Sequence, residues 1–374
     1  MTAAPILEAR DLARAFTVAR PLFGPPTVVR AVDGVSFAVA RGETFAIVGE
    51  SGCGKSTLAR LMAGLIAPSG GAALHEGRDM ARLAAPDRRR LRRALQFVFQ
   101  DPFSSLNPRM SVGALVEEPL RAHGIGAAPE RRARALALLA RVGLRPEHAD
   151  RWPHEFSGGQ RQRIAIARAL ACGPSVLIGD EPVSALDVSI QAQVINLLAD
   201  LRREYGLTLM IIAHDLSVIR HMSDRVAVMY LGQMVEIAPT AALFDAPRHP
   251  YTRALIAAAP AAHPAAGGAA ARRPQALLEG EPPRHAAPPP GCRFHTRCPH
   301  ADALCAKTPP PLLTAGEGRL VACHHHARLA PFAPPPDPPA PTPAVARRFA
   351  RYRALRAQQE AAQAAADFTR GAAS

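Results

Sequence analysis

The run TFAIVGESGCGKSTLARLMAGL, residues 44–65, constrains this chain more than any other feature in it. A short apolar segment, Thr44–Val48, has the length of a buried strand. The next nine residues, Gly49–Thr57, fit G-x-x-x-x-G-K-[ST], and LARLMAGL then repeats apolar residues at helical spacing. That order of strand, glycine-rich loop and helix is what a phosphate cradle requires. Gly49, Gly52 and Gly54 let successive backbone N–H groups converge on an anion, and the helix start adds the positive end of its dipole. Lys55 is spaced to reach the β and γ phosphates, and the Ser56 hydroxyl to bind Mg²⁺. Glu50, Ser51, Cys53 and Thr57 complete the loop, with Cys53 read as an inert small filler. A second segment fits the first: SVLIGDEP, residues 175–182, is an apolar strand ending in two acids. Asp180 at its tip can hold Mg²⁺, and Glu181 can poise a water for in-line attack on a terminal phosphate.

The rest of the chain sets the frame. Its 374 residues, 48% hydrophobic, suffice for one large domain and a smaller one. The formal charge is +14, yet lysine occurs only at Lys55 and Lys307; the arginines are scattered and aromatics are 5%, which argues against a nucleic-acid surface. The start, MTAAPILEARDLARAF, lacks the basic and apolar regions of a signal peptide, and no window approaches about 18 consecutive apolar residues. A cytosolic protein is expected, in which six cysteines read as free thiols or metal ligands. The runs TFAIVG, LQFVFQ, SVLIGD and LTLMIIAHD alternate with helical patterns, as in a parallel sheet covered by helices. LEARDLARAFTVA and AVDGVSFAVARGETFAIVG read as antiparallel strands with glycine turns, and residues 110–150 as an inserted helical lobe. Composition changes near Pro260. The expected division is therefore 1–258, with a helical subdomain at about 103–165, then a cysteine-bearing module at 259–330 and a Pro-rich, flexible tail at 331–374.

A second anion-receiving element follows about a hundred residues after the first. FSGGQRQRIAIARAL, residues 156–170, is a Ser-Gly-Gly turn opening an Arg-rich helix. With this segment the chain resembles the ATP-binding-cassette ATPases, over about residues 7–255. Ser157, Gly158, Gly159 and Gln160 match the signature motif of that family. FQDP supplies Gln100, SALD spans Ser184 to Asp187, and IIAHD supplies His214, all in the family's order. The resemblance implies an α/β fold: a RecA-like P-loop NTPase core with an N-terminal antiparallel β subdomain and an inserted α-helical subdomain. It implies ATP and Mg²⁺ as cofactors, with Ser56, Gln100 and Asp180 around the metal. It also implies that two chains pair head to tail, so that the Ser157 turn of one caps the γ-phosphate held on the loop of the other. In that scheme Gln100 senses the γ-phosphate, His214 orients the attacking water with Glu181, and Ser184 and Asp187 face the partner. Phe16 sits where the family stacks an aromatic on adenine, and Gly179 departs from the larger residue usual there.

Finer resemblance points to the dipeptide/oligopeptide (and nickel) importers, through RAVDGVSF, FQDPFSSLNPRMSVG, EPVSALDVSIQAQVINLL and HPYTRALIAAAP. SLNPRM and VEEPL are similar to the second, F-type, of the two ATPase subunits in such importers. The implied partners are a distinct second ATPase chain or a second copy, two membrane permeases received near Asn107–Leu120, and a periplasmic or extracellular solute-binding protein, with no nucleic acid. The implied place is the cytoplasmic face of the inner membrane. The alternative is a non-transport cytosolic cassette protein acting on nucleic acid or ribosomes.

GCRFHTRCPHADALC and VACHHH bring Cys292, Cys298, Cys305 and Cys323 into one Pro-rich segment with little apolar mass, which suits a metal staple. The spacing is not CxxC, so the residues alone leave zinc and unliganded thiols open. The importer resemblance implies a [4Fe–4S] cluster on these four thiols. His324–His326 read as solvated, with a ligand role as the alternative, and Cys172, after the signature helix, as buried.

Overall fold

The structure is a computed structural model that describes residues 4–19, 26–184, 186–213, 215–258, 283–316 and 318–332. Among the described residues twelve strands fall into two sheets. The chain begins with β1 (Leu7–Ala19) and β2 (Thr27–Val39), then β3 (Thr44–Val48), β4 (Gly70–His75), β5 (Arg78–Asp79) and β6 (Leu95–Val98). After a helical stretch come β7 (Val176–Asp180), β8 (Thr208–Ile212), β9 (Arg225–Tyr230) and β10 (Gln233–Pro239), and near the end β11 (Leu313–Thr314) and β12 (Leu320–Val321). The smaller sheet is antiparallel, ordered β2-β1-β4-β5; the larger is ordered β11-β12-β10-β9-β3-β8-β7-β6. The five strands from β9 to β6 are parallel.

The central strands are buried from end to end, as strands covered on both faces must be. Alternation still separates two cores. Ala46 and Val48 face the larger apolar cluster, while Phe45 and Ile47 face the other, on the side of Leu58, Met62 and the antiparallel sheet. Helix Lys55–Met62 leaves the tip of β3, and its apolar stripe of Leu58, Leu61 and Met62 closes that second core.

Between β6 and β7 the chain builds a helical lobe from Val112–His123, Ala128–Arg141 and Gly158–Leu170. Leu115, Val116, Leu139, Ile164 and Leu170 pack in its interior. Ser111 caps the first of these helices, and Gly124, in the left-handed region, ends it.

The cysteine-bearing segment folds onto the cassette and not as a separate body. β12 pairs antiparallel with β10, so the segment extends the main sheet. Phe294, 1% exposed, inserts among Tyr230, Tyr251 and His249. Three of its arginines reach acids of the cassette: Arg293 to Asp33, Arg297 to Glu50 and Arg319 to the fully buried Glu236. The segment thus borrows the core that its own composition lacks. Among the described residues no helix is long and apolar enough to cross a membrane.

Candidate nucleotide site

The phosphate loop is formed between β3 and helix Lys55–Met62, with Gly54 as the N-cap. Its glycines are fixed by backbone neighbours as well as by any ligand. A Cβ on Gly49 would stand 2.2 Å from the Met229 carbonyl oxygen of β9, and one on Gly54 2.0 Å from that of Ala31 on β2. Gly54 also has φ 108°, open to glycine alone without strain. Ser51 and Gly52 lie exposed at the mouth; Glu50, Ser56 and Thr57 are half-buried. Cys53 is buried, and burial pushes its thiol up, as befits a filler. Lys55 is 5% exposed, and its Nζ donates to the carbonyl oxygens of Gly49 (2.8 Å) and Glu50 (2.9 Å).

The strand order of the core brings the acids to this loop. Ser56 Oγ donates to Asp180 Oδ1 at 2.8 Å. Burial pushes the Asp180 carboxyl up, a penalty on the anion partly offset by the Ser56 hydroxyl and Arg60. A buried carboxylate beside a hydroxyl at a phosphate loop fits Mg²⁺, which would remove that penalty. One residue on, Glu181 accepts a bond from Gln100 Nε2 at 3.1 Å. Glu181 has φ 48°, a left-handed conformation that a non-glycine residue adopts only when its surroundings impose it. Here the Glu181 N–H donates to the Ile212 carbonyl, and its own carbonyl accepts from the Ser184 N–H and hydroxyl. Gly179 is tightly packed: an added Cβ would meet Pro182 at 3.0 Å and Ile211 at 3.1 Å. His214 lies outside the described residues; β8, which leads to it, runs between β3 and β7.

The signature turn is built differently. Ser157 caps helix Gly158–Leu170 through a reciprocal capping box with Gln160. Ser157 is exposed, while Gly159 is buried with its Cα against Ile190, whose Cγ2 an added Cβ would meet at 2.5 Å. Among the described residues no hydrogen bond or ion pair joins residues Ser157–Gln160 to Gly49–Thr57. Asp187 is exposed at the start of helix Val188–Tyr205. Phe16 lies half-buried on β1 opposite Val29, with the Arg14 guanidinium 4.7 Å above its ring. One face of the ring is thus already covered.

The four cysteines of the C-terminal segment lie near enough for their thiols to act on one another, while the potential ligand atoms found within 4.8 Å of one another among the described residues are those of Asp302, Cys305 and His325. The Cys292 N–H donates to the Cys305 carbonyl at 2.8 Å. Burial pushes the Cys292 and Cys298 thiols up to about 11, and the neighbouring thiols add to it. Thiols so disfavoured as anions would ligate only a group that supplies compensating positive charge. His325 departs from the expectation of a solvated residue. Its Nε2 lies 3.4 Å from Cys305 Sγ and 3.2 Å from Asp302 Oδ2, and its N–H donates to Cys323 Sγ. The reason is local: Asp302 caps helix Ala303–Lys307 and draws the imidazole in.

Sequence reasoning missed the supports of the loop. The Tyr251 hydroxyl accepts a bond from the Glu50 N–H at 2.9 Å, and Arg297 grips the Glu50 carboxylate. HPYTRAL and FHTRC stood out as motifs, but nothing in their spacing shows that they meet residue 50.

Comparison with known proteins places this arrangement. Residues 32–184 match the ABC transporter family, and residues 235–305 match the family described as oligopeptide/dipeptide transporter, C-terminal region. The chain is 50% identical over 329 residues to the oligopeptide transport ATP-binding protein AppF of Bacillus subtilis, covering 87% of this chain and 99% of that one. It is 49% identical over 319 residues to the dipeptide transport ATP-binding protein DppF of Escherichia coli, covering 85% and 94%. This chain belongs to the oligopeptide/dipeptide ATP-binding subunits of ABC transporters. Solved cassettes agree in fold. The ATP-binding cassette MJ0796, in a dimeric post-hydrolysis state bound to ADP and Pi, matches with TM-score 0.57 and 30% identity over 63% of this chain and 98% of its own. The Clostridium perfringens protein cbiO1, part of an ABC transporter complex, matches with TM-score 0.56 and 30% identity over 64% of this chain and 91% of its own. The Gly49–Thr57 loop, Asp180, Glu181 and the Ser157 turn all fall within the residues that match the ABC transporter family.

Proposed function

We propose that this chain hydrolyses ATP to power import of dipeptides, oligopeptides or a related small solute through separate permease subunits, from the cytoplasmic face of the inner membrane. The observation that carries the reading is the meeting of three elements at the tips of β3, β7 and β6 in the parallel sheet. These are the Lys55 loop, the Ser56–Asp180 pair and the Gln100–Glu181 pair. Lys55 holds the terminal phosphates, Ser56 and Asp180 face the Mg²⁺, and Glu181 accepts the proton of the attacking water. Gln100, bonded to one Glu181 oxygen, fixes the carboxylate and links it to the helical lobe. His214 orients the same water in this scheme.

The exposed Ser157 turn serves the nucleotide of a second ATPase subunit, and Ser184 and Asp187 face that subunit. SLNPRM and VEEPL favour a distinct F-type partner over a second copy. A solute-binding protein outside the membrane delivers the cargo. Cys292, Cys298, Cys305 and Cys323 would hold the [4Fe–4S] cluster. Such a group supplies a four-point covalent staple to a segment with little apolar mass.

Purification from native membranes tests the assignment. Two hydrophobic permeases and a second ATPase should come down with the chain; nucleic acid released as salt rises would favour the non-transport alternative. Glu181→Gln should retain ATP affinity while turnover falls by about 10²- to 10⁴-fold. Turnover near wild type would remove Glu181 as the base. Anaerobic preparations should contain iron and acid-labile sulfide in equal amounts, lost in Cys292→Ser.

A further inference from the structure

Arg297 lies between Cys292 and Cys298, 247 positions from Glu50. Its Nη1 and Nη2 donate to Glu50 Oε2 and Oε1 at 3.0 and 3.1 Å, a fork on both carboxylate oxygens. Nη1 also lies 3.3 Å from the Tyr230 hydroxyl, and the Arg297 side chain is 5% exposed. Glu50 is the second residue of the phosphate loop. Its N–H is held by Tyr251, and its carbonyl accepts from Lys55 Nζ at 2.9 Å and from the Cys53 N–H at 3.3 Å. Every polar group of Glu50 is engaged, and one of its partners is the lysine itself. A single residue thus separates the C-terminal module from the cation of the loop.

A second contact runs alongside. Arg293 donates to Asp33 and to the Leu231 carbonyl. The Asp33 N–H donates to the Gly232 carbonyl, and the Gly232 N–H to the carbonyl of Cys53. The module therefore reaches the loop directly at Glu50 and, through Asp33 and Gly232, at Cys53. Stability alone does not account for the Arg297 pair. Desolvation of a buried ion pair roughly offsets its attraction, and Arg297 Nε is buried without a partner. What a bidentate guanidinium supplies is direction.

We propose that Arg297 is a positioning residue for ATP: by fixing Glu50, the C-terminal module sets where Lys55 stands for the phosphates. This rests on the reading of Gly49–Thr57 as the phosphate site. The test uses the full chain and reads the ATP Kd, kcat against KM, and the unfolding temperature without nucleotide. Variants are Arg297→Gln, Glu50→Gln and the double. The expected result is an ATP Kd raised about ten-fold in each single variant, as for loss of one charge-assisted contact, with the double variant no weaker than either single. An unchanged Kd with a lowered unfolding temperature overturns the proposal, as does additivity in the double. Where Arg297→Gln fails to fold, Glu50→Gln alone decides, since it leaves the module's own residues intact: an unchanged Kd overturns the proposal. Lys55→Ala keeps the two failures apart. If it retains ATP affinity, the phosphate-loop reading itself falls; if it loses affinity while Arg297 and Glu50 variants do not, only the positioning role falls.

Discussion

The two anion-facing turns of this chain differ in how they are held. The phosphate loop is buttressed on all sides: β2 and β9 press on Gly54 and Gly49, Tyr251 and Arg297 hold Glu50, and Lys55 is nearly buried. The Ser157 turn packs through Gly159 against Ile190, and its serine stands in solvent, its hydroxyl bonded to the Gln160 N–H and its carbonyl to the Arg161 N–H. A site completed inside one chain can be made rigid by that chain. A site that must be presented to another subunit needs an exposed edge on a stiff helix, and a cap that can exchange its internal bond for an external anion. On the proposed reading, the contrast fits one turn that serves the chain's own nucleotide and one that serves a second subunit's.

The largest test of that contrast is Lys55→Ala, expected to weaken ATP binding by about 100-fold or more while the isolated chain stays folded; a nucleotide titration with a parallel melt reads both. Next is Ser157→Glu. ATP affinity of the isolated chain should be unchanged, while hydrolysis by the assembled ATPase pair falls at least about ten-fold through charge repulsion with phosphate. Equal loss in both measurements would mean that the turn serves its own loop. A smaller effect separates the two glycines. Gly159→Ala, driving a methyl onto Ile190, should destabilise by about 1–3 kcal/mol. Gly158→Ala, whose Cβ would meet only Leu186 at 3.6 Å, should stay within about 0.5 kcal/mol in the same denaturant titration.

A further test is acidification, which bears on the buttress of the loop. His249, which is 1% exposed, accepts the Tyr251 N–H on Nδ1, and burial drops its pKa to about 3. The folded value lies below the ordinary 6.5, so the unfolded chain takes up the proton first. The stabilisation is complete above about 6.5 and is lost progressively as pH falls towards 3. Glu236, whose N–H donors include His249, is pushed up by burial and slopes the other way, towards greater stability in acid. Melts of wild type and His249→Gln from neutral pH downwards isolate the histidine: the wild type should lose more. Parallel curves would show that His249 does not carry the acid sensitivity.

Much of the site was legible because its signals are local. The strand–loop–helix at residues 44–62 and the acid pair after a buried strand each follow from a few consecutive residues, and the structure joins them through Ser56–Asp180 and Gln100–Glu181. β4 and β5 went unread, since GGAALH opens on two glycines and shows little alternation. The role of the HPY segment was equally hidden. Tyr251 reaches Glu50 across 201 positions, and no periodicity encodes such a pair. For His325 the solvated reading was preferred to a ligand role because a histidine run is usually exposed, whereas Asp302 and Cys305 draw this one inward.

By itself the amino-acid sequence determined which backbone stretches can receive an anion, because glycine spacing, a capping serine and the start of a helix act within one or two turns of chain. Only the tertiary structure decided what holds them. The order β10-β9-β3 carries the C-terminal arginines over Glu50 and Asp33, and packing between the signature helix and helix Val188–Tyr205 leaves no room for a side chain on Gly159 unless Ile190 shifts. Those contacts join residues far apart in the chain, so the order of strands in the sheet sets them, and no short stretch of sequence specifies that order.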